Sequence, residues 1–398
     1  MRKVAIVGAG TTSFKSRWIE KTYFELAFDA VKDALTHAKL SREDIQCCVY
    51  GVYNDIFQRQ IQPDLYIHDY IGMAPRPAVR VATGGATGGS AVRIAFSEIA
   101  SGMYDIALVL GVEKCSDCYN YELQSSTPEI LKTIRYTADA TYEGPTGRTA
   151  AGTFALSVIA HREKYGTPTE LQMAKVSVKN HRNALKNPIA QSPKEITVED
   201  VLSSRMVCYP FKFYDNCLYS EGASALILAS EEKAKEITDK PVWITGVGAS
   251  LDWSIPGNRP NIIEFTSSRI AAKKAYEMAG ISNPLKEIDL AELHDAFTGL
   301  EILAYEDCGF CNEGEGGRLI DEGTVDIGGA LPVNVSGGLI GCGHAIGASG
   351  VMQTREIVLQ LKGEAGDRQI RNARRGMIQS VGGTACAWTV VLILERRD

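Results

Sequence analysis

No apolar run in this 398-residue chain approaches the roughly 20 residues that a membrane-spanning helix needs, which argues against a helical membrane protein. An excess of basic charge is also missing: 42 Lys and Arg stand against 48 Asp and Glu, a formal net charge of −6. Such a balance offers no basic field to phosphate backbones or anionic lipid, so nucleic acid is not an expected partner. Proline is sparse, 14 residues against 38 Gly, which points to tight turns and away from low-complexity linker. Met1-Arg2-Lys3 runs into VAIVGAG and then into polar TTSFKSR before a signal-peptide core is complete. It reads as a first strand, and the protein as soluble and cytoplasmic. What remains, 45% apolar and 23% charged residues, is the composition of a globular enzyme with chain enough for two or three domains.

Two motifs invite readings that the rest of the sequence does not support. Gly8 and Gly10 follow the first strand, but Ser13 stands where a dinucleotide fingerprint needs its third glycine, and no acidic ribose ligand follows at the usual distance. Among ten cysteines, Cys115/Cys118 and Cys308/Cys311 have CxxC spacing. The pairs lie too far apart for a zinc ribbon and no neighbouring His completes either half, so no metal is expected and the thiols read as buried.

Hydrophobic periodicity gives strand, helix, strand, helix, strand through residue 113: VAIVGAG, a helix from Tyr23 to Ala38, QCCVYGVY, a helix from Gly88 to Ser101, and YDIALVLGVE. Ser41 to Asp44 reads as a short capping box. The pattern then repeats. KVAIVGAG is echoed by PVWITGVGAS from Pro241, and SEGASALILAS by GGTACAWTVVLILE from Gly382. Each half carries a Gly-rich turn opening a helix, ATGGATGGSAV at 82–92 and SGGLIGCGHAIGASGV at 336–351. We expect two related α/β halves, 1–235 and 241–398. A polar, partly helical lobe at about 116–205 falls outside the repeat, and could carry binding function or serve as a dimerisation arm.

Of six histidines, His37 and His161 read as solvated helix positions. His344 sits in a turn bracketed by Gly341, Gly343 and Gly347, after a strand-like run. His294 follows the strand-like IDLAEL and precedes a helix, at the carboxyl end where open α/β sheets bind ligands.

On His294-Asp-Ala-Phe, on Gly343-His344-Ala-Ile-Gly347-Ala-Ser-Gly350, and on VKNHRNALKNP with the later YPFKFYDNCLYSEGASALILAS, the chain resembles the thiolase superfamily over essentially its full length, in the archaeal and bacterial branch near sterol-carrier-protein thiolases. The resemblance implies a duplicated, five-layered αβαβα fold with an inserted loop lobe, a homodimeric core and coenzyme A thioester substrates. It also implies a small partner subunit with a zinc ribbon and an OB fold.

The departures from the family pattern bear on mechanism. The resemblance puts Gly85 where thiolases carry the nucleophilic cysteine, and Ser380 where they carry a second one. Three mechanisms remain. In one, another thiol substitutes, Cys342 being nearest in sequence. In another, the thiol of coenzyme A attacks the ketone of a 3-oxoacyl thioester directly, with His344 as base and His294 polarising or stabilising the enolate oxygen. In the last, the chain performs retro-aldol cleavage of a 3-hydroxyacyl thioester. Gly382 and Gly383 offer backbone N–H groups for an oxyanion hole. Losing the cysteine is expected to leave room at Gly85 for a bulky or aromatic acyl group, such as that of benzoylsuccinyl-coenzyme A. A non-catalytic scaffold subunit of an acyl-coenzyme A complex is the rival from a different class.

Overall fold

A computed structural model describes residues 1–118 and 127–397. Eleven strands are found among them: β1 Val4–Thr11, β2 Cys47–Gly51, β3 Ala78–Val81, β4 Ile106–Glu113, β5 Met206–Cys208, β6 Phe211–Lys212, β7 Gly222–Ser230, β8 Val242–Leu251, β9 Leu290–Glu292, β10 Arg375–Gly382 and β11 Trp388–Arg396. β5 and β6 form a separate small ribbon. The other nine make one mixed sheet in the order β3-β2-β4-β7-β1-β8-β11-β10-β9.

That order is nearly a palindrome about the β1/β8 contact. β1 pairs antiparallel with β7 as β8 does with β11. β4 runs antiparallel to β7 as β10 does to β11, and β2 lies parallel to β4 as β9 does to β10. The repeat read from sequence is therefore a repeat of topology.

Its glycines have a steric cause. A Cβ on Gly10 would lie 2.2 Å from the Ala34 nitrogen, and one on Gly248 1.8 Å from the Ala271 carbonyl oxygen. In each half the first strand carries glycine because a helix, Tyr23–Ala38 in one and Thr266–Ala279 in the other, lies directly on its backbone. The glycines that imitated a cofactor fingerprint are packing residues.

Three large apolar cores lie between the layers of the fold. One lies under the Tyr23–Ala38 helix. A second holds the Thr87–Ala100 and Ile346–Lys362 helices between the two halves of the sheet. The third lies under the Thr266–Ala279 and Thr298–Asp307 helices and takes in part of the lobe. The Ser41–Asp44 capping box is present and closes a single 3-10 turn.

The lobe departs from expectation. Its helix Glu170–Ala184 is polar in sequence, yet Lys179, Asn180, His181 and Asn183 are buried. His161, read as solvated, is only 2% exposed and pairs with Glu306 at 2.8 Å. His37 is half-sheltered, bonded to Ala9 and to Glu364 at 2.9 Å. In each case a polar partner on a distant segment makes burial affordable, and sequence periodicity cannot show that partner.

Candidate active site

The Thr87–Ala100 and Ile346–Lys362 helices begin two residues after Gly85 and His344, so these residues hold equivalent places in the two halves. His294 reaches the same point from the end of β9. The rings of His294 and His344 meet edge to face, with centroids 5.1 Å apart. The strand-like run expected before His344 is instead a helical turn, Gly338–Gly341. Two glycines there with positive φ, Gly337 and Gly338, turn the chain too sharply for a strand.

A hydrogen bond assigns the proton on one ring, and an unpartnered nitrogen assigns it on the other. The Ser349 hydroxyl donates to the Ala345 carbonyl at 2.9 Å, so it accepts from Nδ1–H of His344 at 2.8 Å. Nε2 of His344 keeps its lone pair. Burial pushes the pKa of this ring down to about 4, which holds it neutral and able to accept a proton throughout the neutral range. Ser220 fixes the backbone of the same residue, accepting its N–H at 2.7 Å. Nδ1 of His294 is buried and finds no hydrogen-bond partner among the described residues. An orphaned lone pair costs less than an orphaned N–H, which puts the proton on Nε2, facing Gly85. Burial first, and His344 second, hold His294 neutral as well.

Gly85 offers no open space. A Cβ there would fall 2.4 Å from the Val381 carbonyl oxygen, 2.8 Å from Cε1 of His294 and 3.1 Å from its Nε2. The room expected from loss of the cysteine is filled by His294 and the end of β10. The 382–383 loop interlocks with the same turn: a Cβ on Gly84 would meet the Gly383 nitrogen at 2.7 Å, and one on Gly382 the Thr83 carbonyl at 2.2 Å. Gly382 and Gly383 thus adjoin position 85. Ser380 lies beneath it, fully buried, donating to the Gly85 carbonyl at 3.3 Å.

Cys342 sits elsewhere. It is completely buried, with Sγ 3.6 Å from the Asn187 amide and 4.0 Å from the Met352 sulfur, and burial pushes its thiol pKa up. Cys217, not singled out from sequence, is tied to the His294 loop, its N–H donating to the Ala296 carbonyl at 2.9 Å. Burial raises its thiol to about 12. Neither thiol shows the electropositive setting that favours thiolate.

Sequence reading missed a second group, the polar residues behind the loops. Asp295 accepts from the backbone of Leu339 at 2.6 Å and from Asn180 at 2.7 Å. Asn180 and Asn334 each donate to Glu301 at 2.7 Å, and Lys179 pairs with Glu301 at 2.8 Å. At the end of β4, the buried carboxyl of Glu113 takes the Gly347 N–H at 3.1 Å and the Gln58 amide at 2.8 Å, and burial raises its pKa to about 7. VKNHRNALKNP was the available signal, but in sequence it serves only as a motif that carries the family resemblance.

Comparison with known proteins identifies the family of this fold. The model for the thiolase N-terminal domain matches residues 4–206 and that for the thiolase C-terminal domain-like family residues 248–396. The acetyl-CoA acetyltransferase of Methanothermobacter thermautotrophicus is 37% identical over 96% of this chain and 97% of its own. Human sterol carrier protein 2 is 34% identical over 96% of this chain and 70% of its own length. Benzoylsuccinyl-CoA thiolase subunit BbsB of Thauera aromatica is 30% identical over 97% of this chain and 96% of its own. Among solved structures, the "Ltp2-ChsH2(DUF35) aldolase" superposes with a TM-score of 0.84 at 24% identity, covering 99% of this chain and 98% of that one. Human mitochondrial 3-ketoacyl-CoA thiolase in complex with CoA gives 0.73 at 19% identity, covering 100% and 98%. The chain belongs to the thiolase family of acyl-coenzyme A C-acyltransferases.

Proposed function

We propose that the protein cleaves or forms the carbon–carbon bond of a 3-oxoacyl-coenzyme A with coenzyme A as second substrate, and that no acyl-enzyme forms at position 85. The closure of Gly85 by Val381 and His294 carries this reading, because the turn leaves no place for a nucleophilic side chain. In the cleavage direction, Nε2 of His344 takes the proton of the coenzyme A thiol, and the sulfur attacks the C3 ketone. The C2–C3 bond then breaks, leaving one thioester and the enolate of the other. Nε2–H of His294 and the 382–383 loop stabilise the enolate oxygen, and His344 returns its proton to C2. Two thioesters result, and atoms and charge balance without a covalent intermediate. A homodimeric core and a small zinc-ribbon/OB-fold partner belong to this reading. The naming of the Thauera relative as a subunit supports a heteromeric arrangement.

The same closed turn also favours retro-aldol cleavage of a 3-hydroxyacyl thioester, which needs base and enolate stabilisation but no thiol. Mass spectrometry of the products separates the two. The leading reading expects two thioesters, formed only when coenzyme A is added to acetoacetyl-coenzyme A or an aromatic 3-oxoacyl analogue. With the corresponding 3-hydroxyacyl-coenzyme A as substrate, one thioester plus a free aldehyde or ketone, with no coenzyme A consumed, would replace it with the aldolase.

A further inference from the structure

The thiolase reading leaves unused the lobe segment Asn180 to Asn187. Its three asparagines fall at intervals of three and four residues, the spacing of one helix face. Asn180 and Asn183 lie on the Glu170–Ala184 helix and Asn187 in the turn that follows. All three are buried, at 0%, 2% and 4% exposure. Each side-chain amide reaches a different point on the loops that carry the histidines. Asn180 donates to Asp295, next to His294, at 2.7 Å. Asn183 donates to the Asn334 carbonyl at 3.0 Å, and the Asn334 side chain in turn accepts the Leu293 N–H at 2.8 Å. Asn187 donates to the Ser336 carbonyl at 2.8 Å. Two backbone bonds continue the line to the two residues before Gly343-His344, from Gln191 to the Cys342 carbonyl at 2.8 Å and from Ser192 to the Gly341 carbonyl at 3.0 Å.

We propose that Asn180, Asn183 and Asn187 form a positioning ladder through which the inserted lobe sets the separation and orientation of His294 and His344. None of the three touches substrate under the proposed function, on which this inference rests. Their effect is on the geometry of the two rings, which must hold to a fraction of an ångström for proton transfer at both ends of one substrate.

The discriminating variants are Asn187→Asp and Asn183→Asp. Aspartate keeps the shape of asparagine but donates to a carbonyl only while protonated. The titratable groups facing Asn187 are the Cys342 thiol and, through Ser336, the Glu292 carboxyl. Burial favours the neutral form of each, and it will favour the neutral form of an inserted carboxyl too. With acetoacetyl-coenzyme A as probe, we expect kcat to fall about tenfold or more at about pH 8.5, with KM within about twofold of wild type. We expect the deficit to shrink toward about pH 6 as the new carboxyl protonates and donates again. Asn187→Ala should lose the same activity at every pH. Unchanged kcat, or a pH-independent loss that follows the fraction of folded protein, overturns the ladder. If Asn187→Asp does not fold, Asn183→Asp, on a separate rung, decides by the same criteria. The ring proton resonances of His294 and His344 provide a readout independent of the reaction. A wild type inactive on the probe defeats the proposed chemistry, whereas shifts of both rings in the aspartate variants would still support the ladder, and unshifted rings would reject it.

Discussion

Under the proposed function His344 acts as the base, and a hydroxyl five residues on fixes its tautomer. Ser349→Ala removes the acceptor for Nδ1–H and lets the proton occupy Nε2, where it blocks proton uptake. We expect kcat to fall by about 10 to 100-fold, with the fold intact by circular dichroism. His344→Ala should lower turnover by about 1,000-fold or more. Gly85→Cys tests the other half of the account. Restoring the family's residue should not restore a nucleophile, because its Cβ would collide with the Val381 carbonyl. We expect this variant to lose about 1 to 3 kcal/mol in urea unfolding and to gain no thiol-dependent activity. Much at this scale was legible in the sequence: His344 stood out by its glycine-rich turn and His294 by its place at the end of a strand-like run, and they do meet. Cys342 looked available because it adjoins His344 in sequence, but alternate residues of a turn face opposite ways and its thiol points into the core. Glu113 and the asparagines were not legible, because their meaning lies in partners up to 234 residues away.

At the scale of the element, the repeated unit is a first strand stripped of side chains so that a helix can lie on it. Gly10→Ala and Gly248→Ala should each destabilise the fold by about 1 to 3 kcal/mol through the same overpacking. A marked inequality between them would show that the helix in one half yields more readily. The strands and main helices follow from period and punctuation, and the Tyr23–Ala38 helix has the bounds that periodicity predicts. The lobe defeated that approach. Its Glu170–Ala184 helix buries polar residues against other polar residues, so apolar periodicity is blind to the face that matters. The segment before His344 defeated it differently, since a glycine-rich apolar run has the composition of a strand and the backbone of a helical turn.

For the whole molecule, the two families of buried titratable groups act in opposite senses with pH. His344 has its pKa depressed to about 4 in the folded protein, below the ordinary imidazole value. The unfolded chain therefore binds its proton first, and the fold loses up to about 3 kcal/mol as pH falls from about 6.5 to 4. Urea unfolding across that window should show a shallower loss for His344→Asn than for wild type. Glu113 and Asp307 have pKa values raised to about 7 by burial, and their contribution to stability is lost as pH rises toward and through that value. Glu113→Gln should accordingly gain on wild type above neutrality. No helix among the described residues is long and apolar enough to cross a membrane. The central claim concerns the whole catalytic cycle: bond cleavage in a thiolase fold without an acyl-enzyme. Intact-protein mass spectrometry of the enzyme quenched during steady turnover of a 3-oxoacyl-coenzyme A tests it most directly. The account predicts unmodified protein while both thioester products accumulate. An acyl adduct on any residue, forming and decaying at the rate of turnover, would contradict it.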